Sequence, residues 1–274
     1  MAFIKTFTRL ILLQRGILVA GALSVLLCAP AFAIEDRADI EQNEPVAKGG
    51  GVSWKLTPGF YRETAGRQAI DLNLRGNTET NTFWLGHYRR GREFEQTRAG
   101  YEHQLAMPLG RVIVSGQLAS HGFLGGSVTL EASGAAIAPA MVPFVGLLGW
   151  GRTNQKPYYN LNFDPNDSLL IGAGWRPDDA TALTLYQVRD DRLRTGQRVT
   201  HLVLRKKTGA RARWTIDLIN RAGRGDSDPD TEFFHARGVT LTYDRDPWFV
   251  RIAWDPKVNY TNSDMTRLAI GMRF

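Results

Sequence analysis

From residue 52 to the C-terminus the chain is a succession of segments in which every second residue is apolar. A period of two puts successive side chains on opposite faces, which is the signature of a strand. The last segment, 265–274 (MTRLAIGMRF), shows it most plainly: Leu268, Ile270, Met272 and Phe274 share one face, Arg267, Ala269, Gly271 and Arg273 the other. The same alternation places Val52, Trp54 and Leu56 opposite Ser53, Lys55 and Thr57, and Ile70, Leu72 and Leu74 opposite Asp71, Asn73 and Arg75. It recurs at Tyr101, Val112, Val128, Leu169, Leu202, Ile216, Leu241 and Ile252 with their neighbours. Turn residues punctuate it at Gly76-Asn77, Pro108-Leu109-Gly110, Pro177-Asp178-Asp179 and Asp246-Pro247. Turns also alternate in length towards the C-terminus: short at 207–209 and 245–247, long at 221–232 and 257–264.

One stretch breaks the rhythm. Residues 134–166 are rich in Gly, Ala and Pro, then in aromatics and amides (PYYNLNFDPND), and proline is poor in a central strand. Fourteen segments qualify as strands, the weakest being 52–61 and 140–152. With both termini on one side the number must be even. Setting both weak segments aside leaves twelve and makes 134–166 one long outer loop; keeping both gives fourteen. Twelve is the expectation.

The N-terminus decides what such strands enclose. Lys5, Arg9 and Arg15 precede an apolar run over 17–28, and Ala31-Phe32-Ala33 follows, so 1–33 reads as a secretory signal peptide. The apolar run is short of the roughly 20 residues a spanning helix needs. Residues 34–51 read as a flexible periplasmic lead-in, and 52–274 as the body. The single cysteine, Cys28, lies in the signal, so no disulfide holds the body. A soluble sandwich explains the alternation equally well. It does not explain an export signal combined with arginines on the polar face of strand after strand: Arg111, Arg205, Arg211, Arg213, Arg251, Arg267 and Arg273. Those suit a wet lumen, where Asp71, Glu102, Glu131, Asp217 and Asp255 can pair with them, while the apolar faces, with Trp175, Tyr243, Trp248 and Trp254 at strand ends, suit lipid. The fold class expected is therefore all-β, a transmembrane antiparallel up-and-down β-barrel.

A cleaved signal, a cysteine-free body of amphipathic strands and the terminal Phe274 together resemble the outer-membrane β-barrel proteins of Gram-negative bacteria. The resemblance covers the whole body and identifies a class. It implies location in the cell outer membrane, contact with its lipid and lipopolysaccharide, and Phe274 as a signal for the outer-membrane assembly machinery.

Chemistry is sparser. Barrel enzymes of that class use Ser or His near the outer rim, and Ser120, His121 and Ser127 are the weak catalytic candidates here, although His121-Gly122-Phe123 lacks the His-x-Ser pair of the phospholipase. A polar loop is the bland alternative, and catalysis is not expected. The acidic run 226–232 lacks the glycine and distal glutamate of a calcium loop, so no metal and no cofactor is assigned. Arg89, Arg90 and Arg92, and Arg189, Arg192, Arg194 and Arg198, form basic clusters fit for lipid phosphates. Nucleic acid is excluded as a partner for an exported chain, despite the formal charge of +7. Lumen-lining residues are expected to be the basic ones above with Asp217; Tyr158, Tyr159, Asn162 and Asp164 are expected to gate the lumen or contact a ligand. Three functions remain open: a small channel or solute-uptake barrel with an arginine-rich lumen, a non-transporting envelope partner, and a lipid-modifying enzyme.

Overall fold

The computed structural model describes residues 51–64 and 66–274; the expected signal peptide and lead-in lie outside them, apart from Gly51. The described chain closes into one antiparallel barrel of fourteen strands. In order they are β1 (Ser53–Glu63), β2 (Gln68–Asn77), β3 (Asn81–Arg90), β4 (Phe94–Met107), β5 (Gly110–Ala119), β6 (Phe123–Ser133) and β7 (Phe144–Thr153). Then follow β8 (Ser168–Asp178), β9 (Thr181–Asp190), β10 (Arg198–Gly209), β11 (Ala212–Gly223), β12 (Phe234–Arg245), β13 (Trp248–Asp255) and β14 (Met265–Arg273). Each pairs with its sequence neighbours, and β1 closes on β14 with Phe60 opposite Leu268. At the seam Trp54 and Phe274 exchange both backbone hydrogen bonds, at 2.8 and 3.0 Å. Both ends of the ring of strands therefore lie on one rim, here called the terminal end; the opposite rim is the far end.

Fourteen strands replace the expected twelve. Both doubtful segments are strands, β1 and β7, so 134–166 is not a single loop. In β7, Pro139 and Pro143 precede the strand and Pro157 and Pro165 follow it, so no proline interrupts the ladder. Its alternation is hidden because glycines occupy both faces: Gly146 among Phe144, Leu148 and Trp150, and Gly149 and Gly151 beside Leu147.

The outward face is apolar around the ring. Leu118 (59% exposed), Ile171 (62%) and Ile252 (52%) belong to a continuous belt, not an isolated patch. In water a belt of this extent would be an aggregation surface; in hydrocarbon it is the expected outer wall. Aromatics ring its terminal end. Trp54 meets the Phe83 ring edge-on across Gly76, with centroids 5.2 Å apart, and Trp214 packs on Tyr243 at 4.6 Å. A Cβ on Gly76 would lie 2.3 Å from the Phe83 ring, so this contact requires glycine.

The inward face is not uniformly polar. Charged side chains line β1–β6 and β10–β14, whereas Leu147, Leu170, Tyr186, Val188 and Val203 form an apolar inner wall on β7–β10. A barrel of this size exceeds what its own inward side chains fill. The excess is taken up by chain from two far-end loops: 154–167, between β7 and β8, and 256–264, between β13 and β14.

Candidate functional site

The loop 154–167 turns into the barrel and crosses it. Asp167 fixes its base, accepting the Thr153 backbone N–H at 2.6 Å, with Arg192 at 3.4 Å. Leu161 carries it across the ring to β14, after Pro157 and Tyr159 have brought it against β4. There Gln96 of β4 holds it from two sides: Nε2 donates to the Pro157 carbonyl (2.9 Å) and Oε1 accepts from Tyr159 N–H (2.7 Å). Arg98 donates to the Tyr159 carbonyl at 3.2 Å while its other end is fixed by Asp71 (3.0 and 3.1 Å) and Asn73 (2.8 Å). Arg98 and Gln96 have no exposed surface. These carbonyl, amide and carboxylate acceptors engage both terminal nitrogens of a guanidinium that burial would otherwise strand.

Further round the ring Arg267 of β14 donates to the Leu161 carbonyl and to Asp255, both at 2.6 Å. Arg221 of β11 reaches the Pro256 carbonyl at 3.2 Å and the Asn162 carbonyl at 3.5 Å. His201 of β10 lies between two carboxylates, Nδ1 at 2.9 Å from Asp217 and Nε2 at 3.3 Å from the loop's Asp164. Backbone carbonyls of the loop thus meet arginines on three separate strands. Aromatic packing adds to this: Tyr159 stacks on Tyr88 with centroids 3.5 Å apart, and Phe163 lies beneath Arg221 and Arg267. Burial pushes the Tyr159 and Tyr260 phenols above their ordinary range, so both rings are neutral in the bore.

The expected loop residues divide. Tyr159 and Asp164 are buried contacts of the loop with the wall. Asn162 bonds locally to Asn160 (2.8 Å) and offers its carbonyl to Arg221. Tyr158 stacks on Phe123 of β6 at 4.3 Å. Of the expected lumen residues, Arg111 pairs with Glu131, and Arg213 (3.2 Å) and Arg273 (2.5 Å) share Asp244. Arg205, Asp217 and Arg267 are buried inside, and Arg251 donates to Thr242 at 3.2 Å. Arg211 differs: it lies in the exposed turn between β10 and β11. The alternation runs through that turn in sequence, but the chain reverses there. No sequence pattern singles out the wall residues Gln96, Arg98 and Arg221, because the loop carbonyls they bind reach them only in the folded chain.

The catalytic candidates are separated. Ser127 is buried and bonded to Ser115 at 2.9 Å, whereas Ser120 and His121 lie on the exposed turn after β5. Ser120 Oγ is 3.5 Å from His121 Nδ1 and accepts the Thr97 N–H at 3.1 Å. Among the described residues no carboxylate bonds to His121, so the orienting third group of a nucleophile–base pair is missing.

No protein-family model matches the chain, and no curated protein matches it in sequence. Among solved structures, the outer membrane protein Omp33 of Acinetobacter baumannii is similar, with a TM-score of 0.50 at 8% identity over 81% of this chain and 98% of that one. A substituted Rh. blastica porin gives 0.44 at 11% identity over 82% and 99%. The KdgM porin, in complex with disordered oligogalacturonate, gives 0.42 at 7% over 80% and 98%. The likeness to Omp33 is one of fold.

Proposed function

We propose that the protein is a small-solute channel of the Gram-negative outer membrane, exported by its signal peptide, with its termini in the periplasm and its bore narrowed by the loop 154–167. The observation that carries this reading is the charged inner face on the terminal side of the loop, where Arg75, Arg111, Arg213 and Arg273 lie beside Glu102, Glu131 and Asp244. A barrel that only anchors or recruits has no use for such pairs, since buried ion pairs contribute no more stability than packed apolar side chains. A wet bore does use them, because they hold water and solute. The test is conductance of the folded full chain in planar bilayers. A small steady conductance supports the channel, and silence from folded protein refutes it.

One observation favours a second reading, a non-transporting envelope partner. Arg98, Arg221 and Arg267 tie the loop across the bore by backbone carbonyls, a latch that is costly to open. Silence in the bilayer, together with recovery of a defined complex on mild extraction, supports that reading instead.

The outward face supports a lipid partner. At the far end Arg62, Arg89 and Arg92 surround a groove of about 840 Å³ floored by Phe60, Ile70 and Leu268. Among the described residues no carboxylate pairs with these three arginines. Arg189 and Arg198 also face each other directly across β9 and β10, an unfavourable like-charge pair that a phosphate between them relieves. Phosphorylated outer-membrane lipid, lipopolysaccharide above all, fits both places. Co-purification of lipopolysaccharide that falls on Arg62→Ala with Arg89→Ala tests this; unchanged lipid content contradicts it.

A further inference from the structure

The cavity beneath the loop bears on which solute the bore holds. It lies against the inner wall of β1, β2, β3, β13 and β14, is roofed by Leu161, and has a volume of about 50 Å³. By the same measure a water needs roughly 10–15 Å³, so the space suits a few waters or one small ion. Lys55, Arg75, Arg251 and Arg267 line it, and among the described residues no carboxylate does. Lys55 (3% exposed), Arg75 (9%) and Arg267 (9%) are buried.

Carboxylates back Arg267 and Arg75: Asp255 is 2.6 Å from Arg267 Nε, and Glu102 is 3.6 Å from Arg75 Nη2. The second separation is an ion-pair distance beyond hydrogen-bonding reach. Among the described residues Arg75 Nη2 is consequently a buried donor with no hydrogen bond, and Trp84 Nε1, on the neighbouring strand, is another. The Arg75 guanidinium carbon lies 6.0 Å from the centre of the Trp84 ring, and both side chains line the cavity. Indole and guanidinium nitrogens donate and never accept, so only an acceptor satisfies them, and the surrounding charge selects an anionic one.

We infer that this cavity is a binding site for a small anion, an oxyanion or the carboxylate of a small solute, which accepts from Arg75 and Trp84 and is held by Lys55, Arg251 and Arg267. The inference deepens the channel reading by naming its solute class. It rests on that reading's wet inner face, not on conduction.

The test is equilibrium binding to the folded full chain in uncharged detergent. Iodide, an anionic quencher of indole fluorescence, reports occupancy beside Trp84, and inorganic phosphate and acetate compete with it to distinguish oxyanion from carboxylate. The expected result is a saturable quenching component that Trp84→Phe removes, that either competitor displaces, and that Arg75→Gln weakens at least tenfold. Arg211→Gln, in the exposed turn between β10 and β11 and outside the cavity, should leave it unchanged. If Arg75→Gln lowers the β-sheet circular dichroism, Arg251→Gln takes its place with the same expected weakening. Linear quenching that never saturates, or saturable quenching indifferent to both Trp84→Phe and the arginine variants, overturns the site. Binding without bilayer conductance upholds the site while refuting the channel. Conductance without saturable binding does the reverse.

Discussion

Tyr159 is the loop residue whose removal most cleanly tests the latch. Its ring is buried, stacked on Tyr88 at 3.5 Å, edge-on to Tyr61 and Phe163 at 6.0 Å each, and 5.3 Å from the Arg98 guanidinium. Tyr159→Ala deletes these contacts but spares the backbone bonds to Gln96 and Arg98 and every side chain of the wall. Large-to-small substitution at a buried aromatic costs about 3–5 kcal/mol. The loop alone makes these contacts from its side, so the cost falls on the equilibrium between docked and undocked loop. With roughly 1.4 kcal/mol per tenfold, the undocked population rises by about two to three and a half orders of magnitude. Hydrogen–deuterium exchange read on peptides spanning 154–167 should show amide protection falling by about that factor, with the amides of β4 and β14 unchanged. Unaltered protection across the loop in a folded variant would refute the claim that side-chain packing pins it. A uniform loss over all strands would refute the separation of loop from wall.

Three further outcomes follow from the same contacts. Ile252, half-exposed at the middle of the outer face of β13, should not tolerate charge: Ile252→Arg is expected to lower folding stability in lipid vesicles by roughly 2–4 kcal/mol in urea titrations, whereas an unchanged midpoint would mean the belt does not meet hydrocarbon. His201→Leu strands Asp164 and Asp217 and is expected to expose the loop to limited proteolysis, the cost of breaking a buried pair being about 3–5 kcal/mol; full resistance would make the contact incidental. Deleting Phe274 removes an exposed residue whose backbone closes the seam to Trp54, and should lower outer-membrane levels in cells more than folding yield in detergent; normal levels would remove its role as an assembly signal.

The architecture was legible because a barrel wall is written locally. In β14, Leu268 to Phe274 announce lipid on one face and Arg267 and Arg273 announce the bore on the other. Strand β7 was obscured because glycine carries no polarity and its flanking prolines resemble interruptions. The segment 157–167 stood out by composition, yet its direction did not, since asparagines, tyrosines and prolines suit a solvated loop as well as an inward one. What turns it inward is distributed: the Tyr159 carbonyl meets Arg98 from 61 residues away, and the Leu161 carbonyl meets Arg267 from 106. An arginine's sequence neighbours do not reveal which remote carbonyl it will bind. The apolar inner wall of Leu147, Leu170 and Val203 was missed for a related reason, as the strands around it read as apolar outside and simply less polar inside.

The account turns on a bore that the loop 154–167 limits. Single-channel recording of the full chain beside a variant in which residues 157–164 are replaced by a short Gly-Ser link measures this most directly. The expected result is a small conductance in the first and one several-fold larger in the second, with the barrel intact by circular dichroism. Equal conductances in the two folded proteins, or silence in both, would contradict it.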